Sequence, residues 1–169
     1  MKKFILLALL GLSFVFQASA QFGKDISGNP TFLDVSVNVN KQYLEKKLPD
    51  IGFKKNNKLS NWWDSEQGYS LSVDDMKSYY TIFIGLGSID DLNLYNDKEA
   101  EEKYQQILST FTELYGSPES SEITYSNYNS SRKEIKEISC SYVIGKTKIK
   151  LEMDKVIFYR FYIFYKIDK

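Results

Sequence analysis

The chain has 169 residues, no formal net charge, one cysteine and no histidine. Its length suits a single domain, and its balanced charge gives no electrostatic reason to expect a nucleic acid or an anionic membrane as partner. Without histidine, Ser-His-Asp and Cys-His catalysis, a histidine general base and histidine metal ligation are excluded, and one cysteine excludes an intramolecular disulfide and a thiolate zinc site. Since 15% of the residues are aromatic, we expect side-chain packing to stabilise the fold.

The N-terminus has the pattern of a secretory signal peptide. Two lysines precede an apolar run that ends at Phe16, and a small-x-small cleavage site ends at Ala20. The alternative is a membrane anchor, but a span needs about 20 apolar residues, more than this run supplies. We expect residues 1–20 to be removed, which makes the mature chain periplasmic or secreted with no membrane anchor. Residues 21–30 are rich in Gly, Ser and Asn and predict a flexible N-terminus, and residues 31–169 predict one α+β domain.

The first half of this domain predicts a strand, a short helix and a β-hairpin. Apolar and polar residues alternate from Thr31 to Val39, which indicates a strand. Asn40 is placed to cap a helix that Pro49 ends. Residues 54–60 are polar and predict a loop or a frayed strand. The segments 68–74 and 78–86 alternate and read as a hairpin. The inward side chains of this hairpin should be Tyr69, Leu71, Val73, Tyr80, Ile82, Ile84 and Leu86.

The second half opens with the clearest helix of the sequence, from Asp97 to Tyr115. Asn96 and Glu99 have the spacing of a capping box, and Gly116 can take the left-handed conformation that ends a helix. An apolar stripe runs along it at three- and four-residue spacing: Ala100, Tyr104, Ile107, Leu108, Phe111, Leu114 and Tyr115. Strands are then predicted at residues 123–128, 137–144 and 147–153.

The last strand, residues 155–169, is apolar and aromatic on both faces. One face carries Ile157, Tyr159, Phe161, Ile163, Tyr165 and Ile167, and the other carries Val156, Phe158, Arg160, Tyr162, Phe164 and Lys166. Such a strand needs cover on both sides. We therefore expect an inner strand with the long helix on one face and a loop, another layer or a partner on the second face. The predicted fold is α+β, an antiparallel meander sheet with two helices packed on one face.

Two stretches of the chain echo each other. A helix capped by Asn40 and a helix capped by Asn96 both run through a glycine into strands, which predicts either a tandem helix-plus-strands repeat or two uses of the same turn chemistry. The segment Leu114-Tyr115-Gly116-Ser117-Pro118 resembles the helix-to-strand passage in the repeating unit of β-lactamase-inhibitor-like domains. The chain also resembles small exported bacterial α+β proteins of unknown function. The first resemblance implies a module that binds proteins with an open sheet face, and it supplies no functional residues.

The most suggestive cluster of side chains is aromatic. Trp62 and Trp63 lie in a polar stretch, and Tyr69, Tyr79 and Tyr80 follow close behind. Rigid aromatic rings outside a cell stack on sugars or anchor a protein partner. Adjacent residues of a strand face opposite ways, so the alternative is a purely structural role in which one Trp covers the core. We take these five residues as ligand-binding candidates.

Carboxylates suggest two further chemistries. Asp90, Asp91 and Asn93, followed by Asn96 and Asp97, offer oxygen ligands for calcium, but the stretch lacks the glycine of an EF-hand loop and suits a helix N-terminus. A pair drawn from Asp64, Glu66, Asp74 and Asp75 would suit glycoside hydrolysis, but all four lie in predicted loops or turns. Arg160 should stack on rings or pair with a carboxylate, and Cys140 should pack as a small apolar residue.

These observations favour an exported, non-enzymatic binding module with no cofactor and no metal. Its partner would be a protein or another envelope component, and the chain would be a monomer or a homodimer. The alternative is a carbohydrate-binding protein or weak glycoside hydrolase of the cell exterior. An aromatic groove with facing carboxylates would favour the sugar, and a flat open sheet would favour protein contact.

Overall fold

The structure, a computed structural model, describes residues 21–86, 95–126, 135–155 and 159–169. In these ranges the chain forms a three-stranded and an eight-stranded antiparallel sheet with two α-helices. The helices are α1 (Lys41–Lys47), which continues into a 3-10 turn (Leu48–Ile51), and α2 (Asp97–Tyr115). The strands are β1 (Phe22–Lys24), β2 (Pro30–Phe32), β3 (Val35–Ser36), β4 (Phe53–Lys55), β5 (Trp62–Ser65), β6 (Ser70–Asp75), β7 (Tyr79–Leu86), β8 (Ser120–Ser126), β9 (Ile135–Ile144), β10 (Thr147–Lys155) and β11 (Tyr159–Asp168).

The large sheet has the strand order β4-β5-β6-β7-β11-β10-β9-β8. Strand β11 is therefore an inner strand, paired with β7 on one side and β10 on the other. This confirms the α+β class and the antiparallel meander that the period-two pattern predicts. No helix in the described part of the chain combines the length and hydrophobicity that a bilayer crossing requires.

Both helices pack on one face of the large sheet, which we call the covered face. Tyr159, Phe161, Ile163, Tyr165 and Ile167 of β11 point to this face, and each is at most 4% exposed. Helix α2 reaches across β11 and β9. Near its N-terminus the rings of Tyr95 and Phe161 lie 6.0 Å apart, and further along the rings of Phe111 and Tyr142 lie 5.9 Å apart. Helix α1 buries Leu44 against the β6–β7 end of the same face.

The large sheet and its helices form two helix-plus-four-strand units, which follow the small sheet in the chain. Each helix begins at an asparagine whose side chain accepts a backbone N–H, Asn40 for α1 and Asn96 for α2, and Asn96 forms the predicted capping box with Glu99. Each helical segment ends at a glycine with positive φ, 88° at Gly52 and 87° at Gly116, a conformation that favours glycine. A four-stranded meander follows each glycine, and the last strands of the two meanders, β7 and β11, pair with each other. The topology is thus symmetric about the β7–β11 pair.

Two expectations for the N-terminal part are wrong. The predicted single strand from Thr31 to Val39 is broken by a two-residue turn at Leu33 and Asp34, whose φ angles are 48° and 62°. Left-handed backbone at both central residues matches the twist of a tight hairpin, so β2 and β3 form a hairpin instead. Residues 21–30, expected to be flexible, contain β1, and Phe22 is only 3% exposed, with its ring 5.1 Å from that of Phe111.

Candidate functional site

The second face of the large sheet differs from the covered face because its side chains are half-exposed. On β11 these are Arg160, Tyr162, Phe164 and Lys166. We call this side the open face. The strand register places its residues in rows that run across the sheet, because directly opposed residues of antiparallel strands point to the same side. The middle row contains Trp62, Ser72, Phe83, Phe164, Lys150, Ser141 and Ser120.

Four half-buried aromatic side chains meet at the centre of the open face and form what we call the aromatic cluster: Trp62, Phe83, Tyr162 and Phe164. The Phe83 ring lies 5.4 Å from Trp62, 4.8 Å from Tyr162 and 4.9 Å from Phe164. These are normal separations for edge-on and tilted aromatic pairs. Because all four residues belong to strands β5, β7 and β11, the rings are held on a rigid support.

Small residues lie beside the rings. Ser72 stands between Trp62 and Phe83 in the row and is 6% exposed, so the two rings meet above it. Gly85 lies directly opposite Tyr162, and a Cβ atom there would meet its nearest neighbour, Ser70 Oγ, at 3.5 Å. Gly85 is itself buried, and it adds no side chain to the face beside the Tyr162 ring.

The charged side chains around the cluster pair with one another. Arg160 forms a bidentate contact with Asp154, with Nε donating at 2.8 Å, and its guanidinium lies 5.4 Å from the centre of the Tyr162 ring. The hydrogen bonds that Arg160 donates to Asp154 raise the pKa of Arg160, and burial raises the pKa of Tyr162 to about 12. Lys150 lies 2.5 Å from Glu152 and 3.5 Å from Glu137. Part of the rim of the cluster thus consists of paired charges.

The structure divides the five predicted site residues between the two faces. Trp62 and Tyr79 lie on the open face, where the Lys166 ammonium lies 4.4 Å from the centre of the Tyr79 ring. Trp63 is 8% exposed and points to the covered face. The ring of Tyr69 packs edge-on at 5.7 Å from that of Phe32, and the hydroxyl of Tyr80 donates to the carbonyl of Val37. The five residues therefore do not form one surface, and their role as ligand contacts stays a prediction.

Sequence reasoning missed Phe83, Tyr162 and Phe164 as site residues. The signal was present, because β7 and β11 each carry aromatic residues between the covered ones. Phe83 lies between Ile82 and Ile84, and Phe164 lies between Ile163 and Tyr165. The pairing that brings Phe83 opposite Phe164 joins residues about eighty positions apart, and no local pattern encodes it.

The carboxylates proposed for glycoside hydrolysis are exposed or half-exposed, and each one forms a hydrogen bond or an ion pair with a neighbouring side chain. Asp64 accepts from Asn56 Nδ2 at 2.6 Å, Asp74 accepts from Asn61 Nδ2 at 3.2 Å, and Asp75 pairs with Lys169 at 2.5 Å. Glu66 pairs with Lys54 at 2.6 Å, and hydrogen bonding from that lysine lowers the pKa of Glu66.

Two surface cavities of about 640 and 480 Å³ lie away from the aromatic cluster. Residues from Asp25 to Ile51 line the first, and residues from Lys54 to Glu66 line the second. Neither cavity has a ring of the cluster in its wall.

Metal and thiol chemistry find little support in the described ranges. No group of three or more Cys, Asp or Glu side chains there is placed to hold a metal ion. Asp90, Asp91 and Asn93 of the calcium hypothesis lie outside these ranges, while Asn96 caps α2 and Asp97 accepts hydrogen bonds from Lys155 and Tyr159. Cys140 is 1% exposed, and burial raises the pKa of its thiol, which disfavours the nucleophilic thiolate.

Comparison with known proteins adds no relative. No family model matches the chain, and neither the curated proteins nor the solved structures contain a match. The open face is therefore the feature from which a function has to be inferred.

Proposed function

We propose that this protein is an exported, non-enzymatic interaction module that binds another protein, including proteins of the cell envelope, through the open face of its large sheet. The observation that carries this proposal is the aromatic cluster, four contacting rings that stay half-exposed at the middle of a sheet face. Trp and Tyr dominate the binding energy of protein interfaces, and central aromatic anchors surrounded by polar side chains are the usual arrangement.

Because the rings are held on strands, a partner can bind them with a small loss of side-chain conformational entropy. All four belong to strands in a continuous hydrogen-bonded ladder, and each contacts at least one other ring of the cluster. Their rotamers are therefore restricted before a partner arrives, and binding loses less side-chain entropy than it would with rings on a loop. The Arg160–Asp154 and Lys150–Glu152 ion pairs lie beside the rings, and a partner covers paired charges at a lower desolvation cost than isolated ones.

The shape of the face favours a protein over a sugar or a small substrate. Small-molecule sites are concave and enclose most of their ligand, whereas the rings of the cluster project from a sheet surface outside the two cavities described above. The first residues of the chain have a signal-peptide pattern, which supports an interaction outside the cytoplasm.

Site-directed photo-cross-linking in cells that naturally export the protein tests this proposal. Phe83→p-benzoylphenylalanine places a cross-linker in the aromatic cluster, and Gln105→p-benzoylphenylalanine places it on the exposed side of α2 as a matched control. We expect a protein adduct from position 83 and none from position 105. Mass spectrometry of the mature chain should show an N-terminus at Gln21.

Two outcomes of this experiment would refute the proposal. Equal adducts from both positions would show that the open face has no special role. Absence of any protein adduct from position 83, together with retention of the chain on a polysaccharide column that Trp62→Ala abolishes, would support the carbohydrate alternative instead.

A further inference from the structure

We infer that the protein bound by the open face is a second copy of this chain, in a face-to-face homodimer with its twofold axis parallel to the strands and between β7 and β11. This inference rests on the proposed function and names its partner. Two sheets pack face to face at about 10 Å with nearly aligned strands. The chosen axis sets β11 of one copy over β7 of the other and β10 over β6, and it keeps every residue in its own row.

The aromatic cluster is complementary to itself under this axis. In the middle row, Phe164 of one copy lies over Phe83 of the other, and in the neighbouring row Tyr162 lies over Gly85 of the second copy. A large side chain also falls on a small one further out, since Trp62 lies over Ser141. Interdigitation of large and small side chains is what close packing between two sheets requires.

A third row, which flanks the middle row on the side away from Tyr162 and Gly85, adds charge complementarity. It contains Asp74, Thr81, Lys166 and Lys148 in register. Lys148 and Lys166 are directly opposed, and like charges in that position destabilise a sheet. Under the twofold axis, Lys148 lies over Asp74 of the second copy. The axis generates this contact twice, so the dimer gains two ion pairs that a monomer lacks.

The same two residues cannot pair within one chain. Asp74 on β6 and Lys148 on β10 are three strand spacings apart in the sheet, about 14 Å. An energetic coupling between them therefore reports on contact between two copies. None of the ion pairs found among the described residues includes Lys148, and its charge remains available.

The available area suits a weak, reversible dimer. The five strands β6, β7, β11, β10 and β9 share six residues of length, and at about 4.8 Å spacing they give a face of roughly 24 Å by 20 Å, or about 480 Å². This is less than the roughly 800 Å² that a standard stable interface buries on each partner. Without residues 1–20, which contain Lys2 and Lys3, the chain has a formal net charge of −2, so long-range repulsion opposes the approach of two copies only weakly.

Sedimentation equilibrium of the purified exported chain, from 1 μM to 1 mM, tests the inference. We expect a reversible monomer–dimer equilibrium. Lys148→Glu should weaken dimerisation roughly tenfold or more, because it sets two carboxylates against each other at both symmetric contacts. Lys148→Glu combined with Asp74→Lys should restore it. Lys46→Glu makes the same charge change on exposed α1 and should have no effect.

Gly85→Ala provides a variant that keeps the fold. Its methyl group makes only ordinary contacts within the chain, so the thermal unfolding temperature should not fall. The same methyl group adds bulk opposite Tyr162 of the second copy, so dimerisation should weaken. A chain that remains monomeric at 1 mM would overturn the inference. So would a dimer that is insensitive to Gly85→Ala, or a charge-swapped double variant that is no tighter than Lys148→Glu alone.

The cross-linker at position 83 separates failure of this inference from failure of the proposed function. An adduct of two copies of the chain supports both. An adduct with a different protein, together with a monomeric chain in the centrifuge, overturns the homodimer and leaves the proposed function standing. No protein adduct at all overturns both.

Discussion

Tyr165 buries its hydroxyl group in the core without a partner. The residue lies on β11, the inner strand beneath the helices, and is 0% exposed. Its hydroxyl oxygen has no hydrogen-bond partner among the described residues. Burial accordingly raises the pKa of Tyr165 well above its ordinary value. Tyr165→Phe removes this oxygen and leaves the ring in place.

The expected effect is stabilisation, and its size follows from the desolvation of a hydroxyl. Burying an unpaired polar group costs about 1–3 kcal/mol in proteins, and phenylalanine avoids this cost while keeping the aromatic contacts. For a chain of this size, 1 kcal/mol shifts the melting temperature by about 2–4 °C. We therefore expect Tyr165→Phe to raise the melting temperature by roughly 2 to 12 °C.

Urea and thermal unfolding of both proteins, followed by circular dichroism, measure this effect. Tyr80→Phe is the matched control, because the Tyr80 hydroxyl is buried but donates to the carbonyl of Val37. Its removal should lower the free energy of unfolding by about 0.5–1.5 kcal/mol. If Tyr165→Phe destabilises the protein as much as Tyr80→Phe does, the Tyr165 hydroxyl has a partner and the reasoning is wrong.

Three further predictions concern stability. Trp63→Ala should lower the free energy of unfolding by about 3–5 kcal/mol because Trp63 is buried, whereas Trp62→Ala, on the open face, should cost only about 1 kcal/mol; equal losses in urea titrations would contradict the two-face assignment. Asn96→Ala removes the capping box of α2 and should cost about 1 kcal/mol, measured in the same way, and no loss would count against that cap. Burial raises the pKa of Tyr80 and Tyr142 to about 12 from a model-compound value of 10.0. Between these values the unfolded chain releases protons that the folded chain keeps, so stability is complete below pH 10 and should fall as the pH rises toward 12; a flat urea midpoint over this range would refute the assignment.

The regular elements of the fold were predictable where one local signal was strong. Helix α2 has the predicted bounds because Asn96 and Gly116 mark its ends and an apolar stripe lies between them. The predicted hairpin of β6 and β7 also forms, since alternation in both strands gives every inward position an apolar residue. Strand β11 is internal because both of its faces are apolar.

The parts that were missed depend on tertiary context. Leucine rarely adopts left-handed backbone. The residue type at position 33 therefore gives no indication of the β2–β3 turn that the surrounding core imposes. Trp62 and Trp63 are adjacent, and only the pairing of β5 with β6 decides which ring enters the core. The aromatic cluster depends on the pairing of β7 with β11. The sequence predicts both strands from their apolar residues, but it does not indicate which residues pair.

The pairing of β7 with β11 has a consequence for how the chain matures. The strand made last completes the hydrogen bonds of a strand made about eighty residues earlier. A polypeptide emerging from a ribosome or a translocation pore therefore carries β7 as a bare edge until residue 159 has appeared, and bare edges recruit other chains. Pairings over such sequence distances form slowly. Holdase chaperones that shield this edge should thus raise the yield of folded protein, and a chain truncated after β10 should aggregate.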